Sequence, residues 1–175
     1  MKYELTDETN GSGLRHIRAL RDIPRCGVKE GDLGGWVESE GNLTQEGDCW
    51  VSDTALIYGD ARVSDDAQVF GNARVCDAAR VCGNARVFGN AMVFDNARVF
   101  GNAQVSDTAL IYGNAQVFDD AWVFDAVVSD DARVCGNARV FGNAVVFDNA
   151  RVCGNARVGG NAMVFDATVC GGVAS

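Results

Sequence analysis

The chain has 175 residues, of which 47% are hydrophobic, and it carries a net charge of −9 at pH 7. This composition is too apolar for a disordered chain, and no apolar run is long enough to cross a bilayer. The acidic balance argues against binding nucleic acid or anionic membranes through bulk charge. Residues 1–8 have no apolar segment of the kind found in secretory signals, so a cytoplasmic location is expected.

Residues 1–47 do not repeat and are predicted to form a small β cap. Residues 2–6 and 14–20 are expected to be strands on either side of a turn over residues 10–13, which reads Asn-Gly-Ser-Gly. A cap of this kind would block edge-to-edge pairing at the first coil of a repeat protein. Trp36 is expected to lay its indole over that coil.

From Val51 onward the chain repeats a six-residue unit, Ala-x-Val-x-Gly/Asp-Asn/Asp, with five-residue steps after Val123 and after Val164. Valine together with Gly, Asn or Asp in each unit favours short strands separated by turns. The Ala and Val of one unit point to the same side of a strand, and one unit alone cannot bury them. Successive units must therefore stack, which predicts a β-solenoid over residues 48–170 and a tail over 171–175.

Three units make one coil. The segment Ser52–Gly59 recurs unchanged as Ser106–Gly113, an offset of 54 residues, which equals three coils of 18. The sequence therefore predicts an all-β fold: a single-stranded, triangular, parallel β-solenoid of about seven coils. Asn residues after the corner glycines are expected to hydrogen-bond from coil to coil, and Asn and Gly are expected to take the left-handed corner conformation.

One side of the triangle, the apolar face, carries apolar residues before and after its valines, although Arg74 interrupts the row. A long exposed apolar strip favours a subunit interface in a homo-oligomer, a trimer or dimer, over simple shielding of the backbone. The predicted interface residues are Leu56, Tyr58, Met92, Phe94, Leu110, Tyr112, Val127, Val145, Phe147, Met163 and Phe165.

A second side, the arginine face, carries Arg before most of its valines. Like charges one coil apart repel, so an anion should lie nearby: either corner carboxylates such as Asp60, Asp65, Asp66, Asp120 and Asp131, or an anionic ligand or acidic partner. The predicted ligand or partner residues are Arg62, Arg80, Arg98, Arg133 and Arg151. The third side, the mixed face, has Trp, Gln and Arg at the equivalent positions, namely Trp50, Gln68, Arg86, Gln104, Trp122, Arg139 and Arg157.

The repeats resemble those of the hexapeptide-repeat superfamily, whose triangular prism is a left-handed parallel β-helix. With the N-terminal segments 3–9, 18–22 and 31–40, the whole chain looks like YdcK-type and phage-encoded hexapeptide-repeat proteins. Such proteins are often labelled acyltransferases on the basis of fold alone. The resemblance implies a left-handed coil, trimeric packing along a prism face and, for the enzymes of the superfamily, coenzyme A and a histidine base.

Candidates for catalysis and metal binding are few. The only histidine is His16, a weak candidate for the catalytic base, and no loop is extruded from the repeats. Seven cysteines without a Cys-x-x-Cys spacing favour free thiols over disulfides, and no metal site is expected. No cofactor is expected unless the chain is an acyltransferase.

These observations favour a non-catalytic phage- or prophage-type solenoid that acts as a rigid protein-binding or assembly scaffold. Two alternatives stay open: an acyltransferase that binds coenzyme A between subunits, and a phage inhibitor of a host defence or nucleic-acid-binding protein. A host protein is a possible partner, whereas nucleic acid and membranes are not expected.

Overall fold

The computed structural model describes residues 1–174 and is an all-β parallel solenoid of about eight turns, with a spacing of about 18 residues between turns. Its strands form three sheets, one on each predicted face. The predicted fold class is confirmed. Helical structure in the described residues consists of two 3₁₀ turns, Pro24–Cys26 and Glu40–Asn42.

The apolar face is a ten-stranded sheet. In spatial order its strands are Tyr3–Thr9, Arg15–Ala19, Leu33–Val37, Leu56–Ile57, Arg74–Val75, Met92–Val93, Leu110–Ile111, Val127–Val128, Val145–Phe147 and Met163–Phe165. The first two strands pair antiparallel, whereas Leu33–Val37 and all later ones are parallel to their successors.

The other two faces are entirely parallel. The arginine face has seven strands: Arg62–Val63, Arg80–Val81, Arg98–Val99, Gln116–Val117, Arg133–Val134, Arg151–Val152 and Thr168–Val169. The mixed face has eight: Trp50–Val51, Gln68–Val69, Arg86–Val87, Gln104–Ser106, Trp122–Phe124, Arg139–Phe141, Arg157–Val158 and Val173–Ala174.

The core is the column of inward Ala and Val that the repeat predicts. Nearly every such residue from Ala55 to Val158 is fully buried, and the residue between Ala and Val points outward. Stacking is in register, so each valine lies beside the valine of the next coil, as Val87 does with Val105. Because three six-residue units make one coil, equivalent positions lie above one another along the solenoid.

The corners differ in one respect from expectation. The residue two after each valine takes the left-handed conformation, and it is either Gly or Asp, as at Gly71 (φ 71°) and Asp107 (φ 58°). Asn follows one position later and forms the expected ladder: Asn84 Nδ2 donates to Asn102 Oδ1 at 2.9 Å, and Asn102 Nδ2 donates to Asp120 Oδ1 at 2.9 Å.

The N-terminal segment has the two expected strands and also contributes to the first coil. Trp36 pairs in parallel with Leu56, and Leu43 forms a bridge with Val63. The expectation for Trp36 is wrong: Val37 is the inward residue of this strand, and the indole lies on the outer surface against His16, with ring centroids 3.6 Å apart. Alternation along the strand places the tryptophan outside because the following valine occupies the core.

One disulfide joins Cys153 to Cys170, with a Cα–Cα distance of 4.4 Å. The expectation of free thiols is therefore wrong for this pair. The two residues follow Val152 and Val169, which are paired neighbours on successive coils, so the register brings their side chains together. Cys26, Cys49, Cys76, Cys82 and Cys135 are free.

Candidate binding faces

His16, the weak catalytic candidate, is held within the N-terminal segment. Its Nδ1 lies 2.7 Å from the carbonyl oxygen of Gly34, to which it donates, and its ring stacks on Trp36. A cavity of about 460 Å³ lies beside this region, and its lining does not include His16. The lining residues are Ser12, Gly13, Leu14, Glu38, Leu56, Tyr58 and Arg74. Both contacts of the imidazole are structural, joining the second strand to the third.

The apolar face brings its predicted interface residues into two parallel rows. Met92 pairs with Leu110, and Leu110 pairs with Val127, so the residues before the valines form a continuous row. The aromatic residues after the valines stack where they are neighbours: Phe94 on Tyr112 at 5.0 Å, and Phe147 on Phe165 at 5.4 Å. Most of these side chains are half-buried by this lateral packing, but Met163 and Phe165 remain 64% and 57% exposed.

The apolar face is uncharged over most of its length. A hydrogen bond with Cys76, together with burial, raises the pKa of Tyr58 to about 12, so its hydroxyl is neutral near pH 7. Arg74 is the one arginine in the row, and it lies between Leu56 and Met92. From Met92 to Met163 the residues before the valines are apolar without interruption, whereas Ser129 interrupts the aromatic row after the valines.

The arginine face places its five predicted residues in two runs. Arg62, Arg80 and Arg98 are direct neighbours on successive strands, as are Arg133 and Arg151, and Gln116 separates the two runs. All five arginines are exposed. Among residues 1–174 no carboxylate lies within 4.0 Å of any of these guanidinium groups, since the four ion pairs of the structure all involve arginines between residues 15 and 25.

Four of the five corner carboxylates that the sequence offered as neutralising partners contact other groups. Asp65 Oδ2 accepts a hydrogen bond from Gly83 N at 2.9 Å, and Asp66 Oδ2 pairs with Arg25 at 3.3 Å. Asp120 and Asp131 accept from the amides of Asn102 and Asn114. Within residues 1–174 these carboxylates form no direct ion pair with the arginines of this face.

Sequence reasoning missed an apolar row beside the arginines. The residues after the valines of this face include Cys82, Phe100, Phe118 and Cys135, and the rings of Phe100 and Phe118 stack in parallel at 4.9 Å. A groove of about 260 Å³ between Arg80 and Arg98 is lined by Cys82 and Phe100. The sequence does carry a signal for this row: in every third unit, the residue after the valine is mostly Cys or Phe.

The mixed face uses its arginines internally, which the sequence also did not indicate. Arg86 lies over the rings of Phe70 and Phe88 at 5.2 and 5.9 Å, Arg139 lies over Trp122 at 5.5 Å, and Arg157 lies over Phe141 at 5.8 Å. Cation–π contacts of this length stabilise a guanidinium without a carboxylate. The two arginine-bearing faces therefore differ: one has aromatic partners for its charges and the other has none.

No group of three or more His, Cys, Asp or Glu side chains within residues 1–174 is placed to hold a metal ion. In the same part of the chain, no helix has the length and hydropathy needed to span a membrane.

Part of the solenoid matches a known family of repeats. A family model described as YdcK beta solenoid repeat matches residues 67–83, 79–93, 91–107, 132–148 and 156–172, all of which lie in the stacked coils. The chain therefore contains repeats similar to the YdcK β-solenoid repeat, within a β-solenoid fold. The interval 108–131, between matched YdcK repeats, contains the five-residue step from Val123 to Val128. No curated protein matches the chain.

Proposed function

We propose that this protein is a non-catalytic assembly scaffold that forms a homo-oligomer, a trimer or dimer, through its apolar face. The observation that carries the proposal is the uninterrupted apolar row from Met92 to Met163, which the chain itself leaves half-exposed. Lateral stacking covers the sides of these side chains but not their tips. A second copy of the same face would cover the tips and remove apolar surface from water.

The fold suits a scaffold because it is stiff and regular. Backbone hydrogen bonds of 2.8–3.1 Å join consecutive coils at every face, as from Leu110 N to Ala126 O and from Arg98 N to Ala115 O. From Ala55 to Val158 the coils contact one another through the same buried Ala and Val or Ile positions, so the packing is continuous over this range. A stiff prism presents the rows on its faces at fixed spacing, which an interface between identical copies requires.

The experiment is a charge placed in the centre of the apolar row. Leu110→Asp is expected to dissociate the oligomer to a monomer, because an interface would have to bury the new carboxylate without a partner. Arg74 already occupies the same row, so a charged outward residue is compatible with the fold. The readout is native mass spectrometry, with circular dichroism to show that the β structure is kept.

Gln104→Asp on the mixed face is the matched control, because it adds the same charge at the equivalent position of the same coil and should leave the mass unchanged. An unchanged mass for Leu110→Asp, or a monomeric wild type, would contradict the proposal. Coenzyme A retained in the same spectrum would contradict the non-catalytic part and support the acyltransferase alternative.

A further inference from the structure

The arginine face carries five arginines that form no ion pair with any carboxylate of residues 1–174. In-register stacking places Arg80 directly between Arg62 and Arg98, and like charges on paired positions of neighbouring strands are destabilising. At Arg86 on the mixed face the same repulsion is reduced, because Gln68 and Gln104 flank it and aromatic rings lie under it. Arg139 and Arg157 on that face are paired neighbours, but each lies over an aromatic ring. An external anion bound between the arginines of the arginine face would reduce their mutual repulsion.

The surroundings of Arg80 and Arg98 define the size of that anion. The corner residues on one side are Gly83 and Asn84, and those of the next coil are Gly101 and Asn102, all uncharged, whereas Asp77 and Asp95 stand at the opposite corner. The groove between the two guanidinium groups has a volume of about 260 Å³ and opens along the face. The arginines repeat from coil to coil in two runs, which Gln116 separates.

The apolar row supplies a second element of recognition beside the charges. It lies two residues further along each strand, about 6.6 Å from the arginine row. Burial raises the pKa of the Cys82 thiol, so this side chain is uncharged near pH 7 and belongs with Phe100 as apolar surface. A partner must therefore present an acidic row and an apolar row side by side.

We propose that the arginine face docks an acidic amphipathic α-helix of another protein, lying along the solenoid axis. Successive coils are about 4.8 Å apart, and helix residues three or four apart on one stripe rise by about 5.3 Å on average, so acidic side chains repeat nearly in step with the arginines. From Arg62 to Arg151 is five such coil steps, about 24 Å, which corresponds to a helix of about 16 residues.

The geometry favours a helix over single-stranded nucleic acid. Phe100 and Phe118 stack face to face with an interplanar angle of 0°, so their edges, not their faces, point outward. Base stacking needs an open ring face, whereas an aromatic edge is weakly positive and lies well beside a carboxylate. The net charge of −9 also opposes a polyanion as long and as densely charged as nucleic acid.

The test uses the full chain and a labelled helical peptide of about 18 residues, with glutamates at i, i+3, i+7 and i+10 and a leucine after each glutamate. A peptide of the same composition in scrambled order is the control for bulk charge. Fluorescence anisotropy should show binding of the patterned peptide at least about tenfold tighter than of the scrambled one. Equal affinity for both, or no binding, would overturn the proposal.

Arg80→Gln with Arg98→Gln locates the site. Gln116 already occupies this row, so the variant should fold, and it should weaken peptide binding by about tenfold or more through loss of two ion pairs. Arg86→Gln with Arg139→Gln removes the same two charges from the mixed face and should change the affinity less than about twofold. Equal losses in both variants would contradict the assignment to this face.

An oligothymidylate of similar length is the competing probe. If it binds more tightly than the patterned peptide and displaces it, the helix proposal is wrong and the face is a nucleic-acid site. The proposal goes beyond the scaffold role, and repeating the titration with Leu110→Asp separates the two. Peptide binding retained by a monomeric variant supports both proposals, and binding without any oligomer in the wild type supports only this one.

Discussion

The N-terminal segment and the solenoid differ in whether their arginines form ion pairs. Arg15, Arg18, Arg21 and Arg25 each pair with a carboxylate between 3.1 and 3.7 Å away. Within residues 1–174, none of the arginines from Arg62 to Arg157 has such a partner. The difference follows from the repeat: in-register stacking places like residues beside like, so a row of arginines meets arginines, whereas a non-repeating segment can place opposite charges together.

The same comparison applies to close packing. The joint between the two regions is tighter than the corners of the solenoid: a Cβ on Gly34 would lie 2.5 Å from Val51 O and 2.6 Å from Ile17 Cγ1. Gly34→Ala is therefore expected to lower the free energy of unfolding by about 3 kcal/mol, the largest loss of stability predicted for any variant of this chain. Urea unfolding measures it.

The matched control for that variant is Gly71→Asp at a corner. Asp53 and Asp107 already occupy the equivalent left-handed position on other coils, and Asp53 Oδ2 accepts from Gly71 N at 2.9 Å. A new aspartate can make the same hydrogen bond to the next coil, so we expect a change within about 1 kcal/mol. If the two variants are equally destabilised, the joint is no more constrained than the corners.

A buried asparagine at the joint contrasts with the exposed ladder. Asn42 is 1% exposed, and its Nδ2 donates to the carbonyl oxygens of Gly59 and Ala61 at 2.9 and 3.0 Å. Asn42→Ala should cost about 2 kcal/mol, because both hydrogen bonds would be lost and the carbonyl oxygen of Ala61 would be left buried without a partner. Asn102→Ala, in the exposed ladder, should cost less than about 1 kcal/mol, since water can replace the lost partners. Thermal unfolding of both variants measures the two losses of stability. A larger loss for Asn102→Ala than for Asn42→Ala would contradict this view.

The smallest effect is expected at the ion pairs. Arg25 donates to Asp66 at 3.3 Å and to Asn84 at 2.7 Å. Both side chains of the ion pair with Asp66 are partly exposed to solvent. Arg25→Gln should cost less than about 1 kcal/mol, and the loss should shrink in high salt. Arg80→Gln should be neutral or slightly stabilising in low salt, because it removes a like-charge neighbour. Destabilisation equal to that of Arg25→Gln would mean that Arg80 has a partner within the chain.

Some features of the candidate faces could be predicted because they depend only on the repeat. The three-unit coil places Leu110 beside Met92, and Arg80 beside Arg62, from sequence spacing alone. Other features depend on where a side chain goes once the coils are stacked. Trp36 against His16, the Cys153–Cys170 disulfide and the cation–π contacts of Arg86 are of this kind.

The sequence by itself therefore determined the solenoid, its three faces and the residues on each, because a unit whose length divides one coil must align identical positions. Only the tertiary structure decided which charges have partners. The corner aspartates bind backbone N–H groups and amides of the adjacent coil, and aromatic rings stack between coils, so the arginines of the mixed face are covered while those of the arginine face are not. These choices are made between coils, where distances and side-chain directions matter and sequence spacing does not distinguish the competing partners.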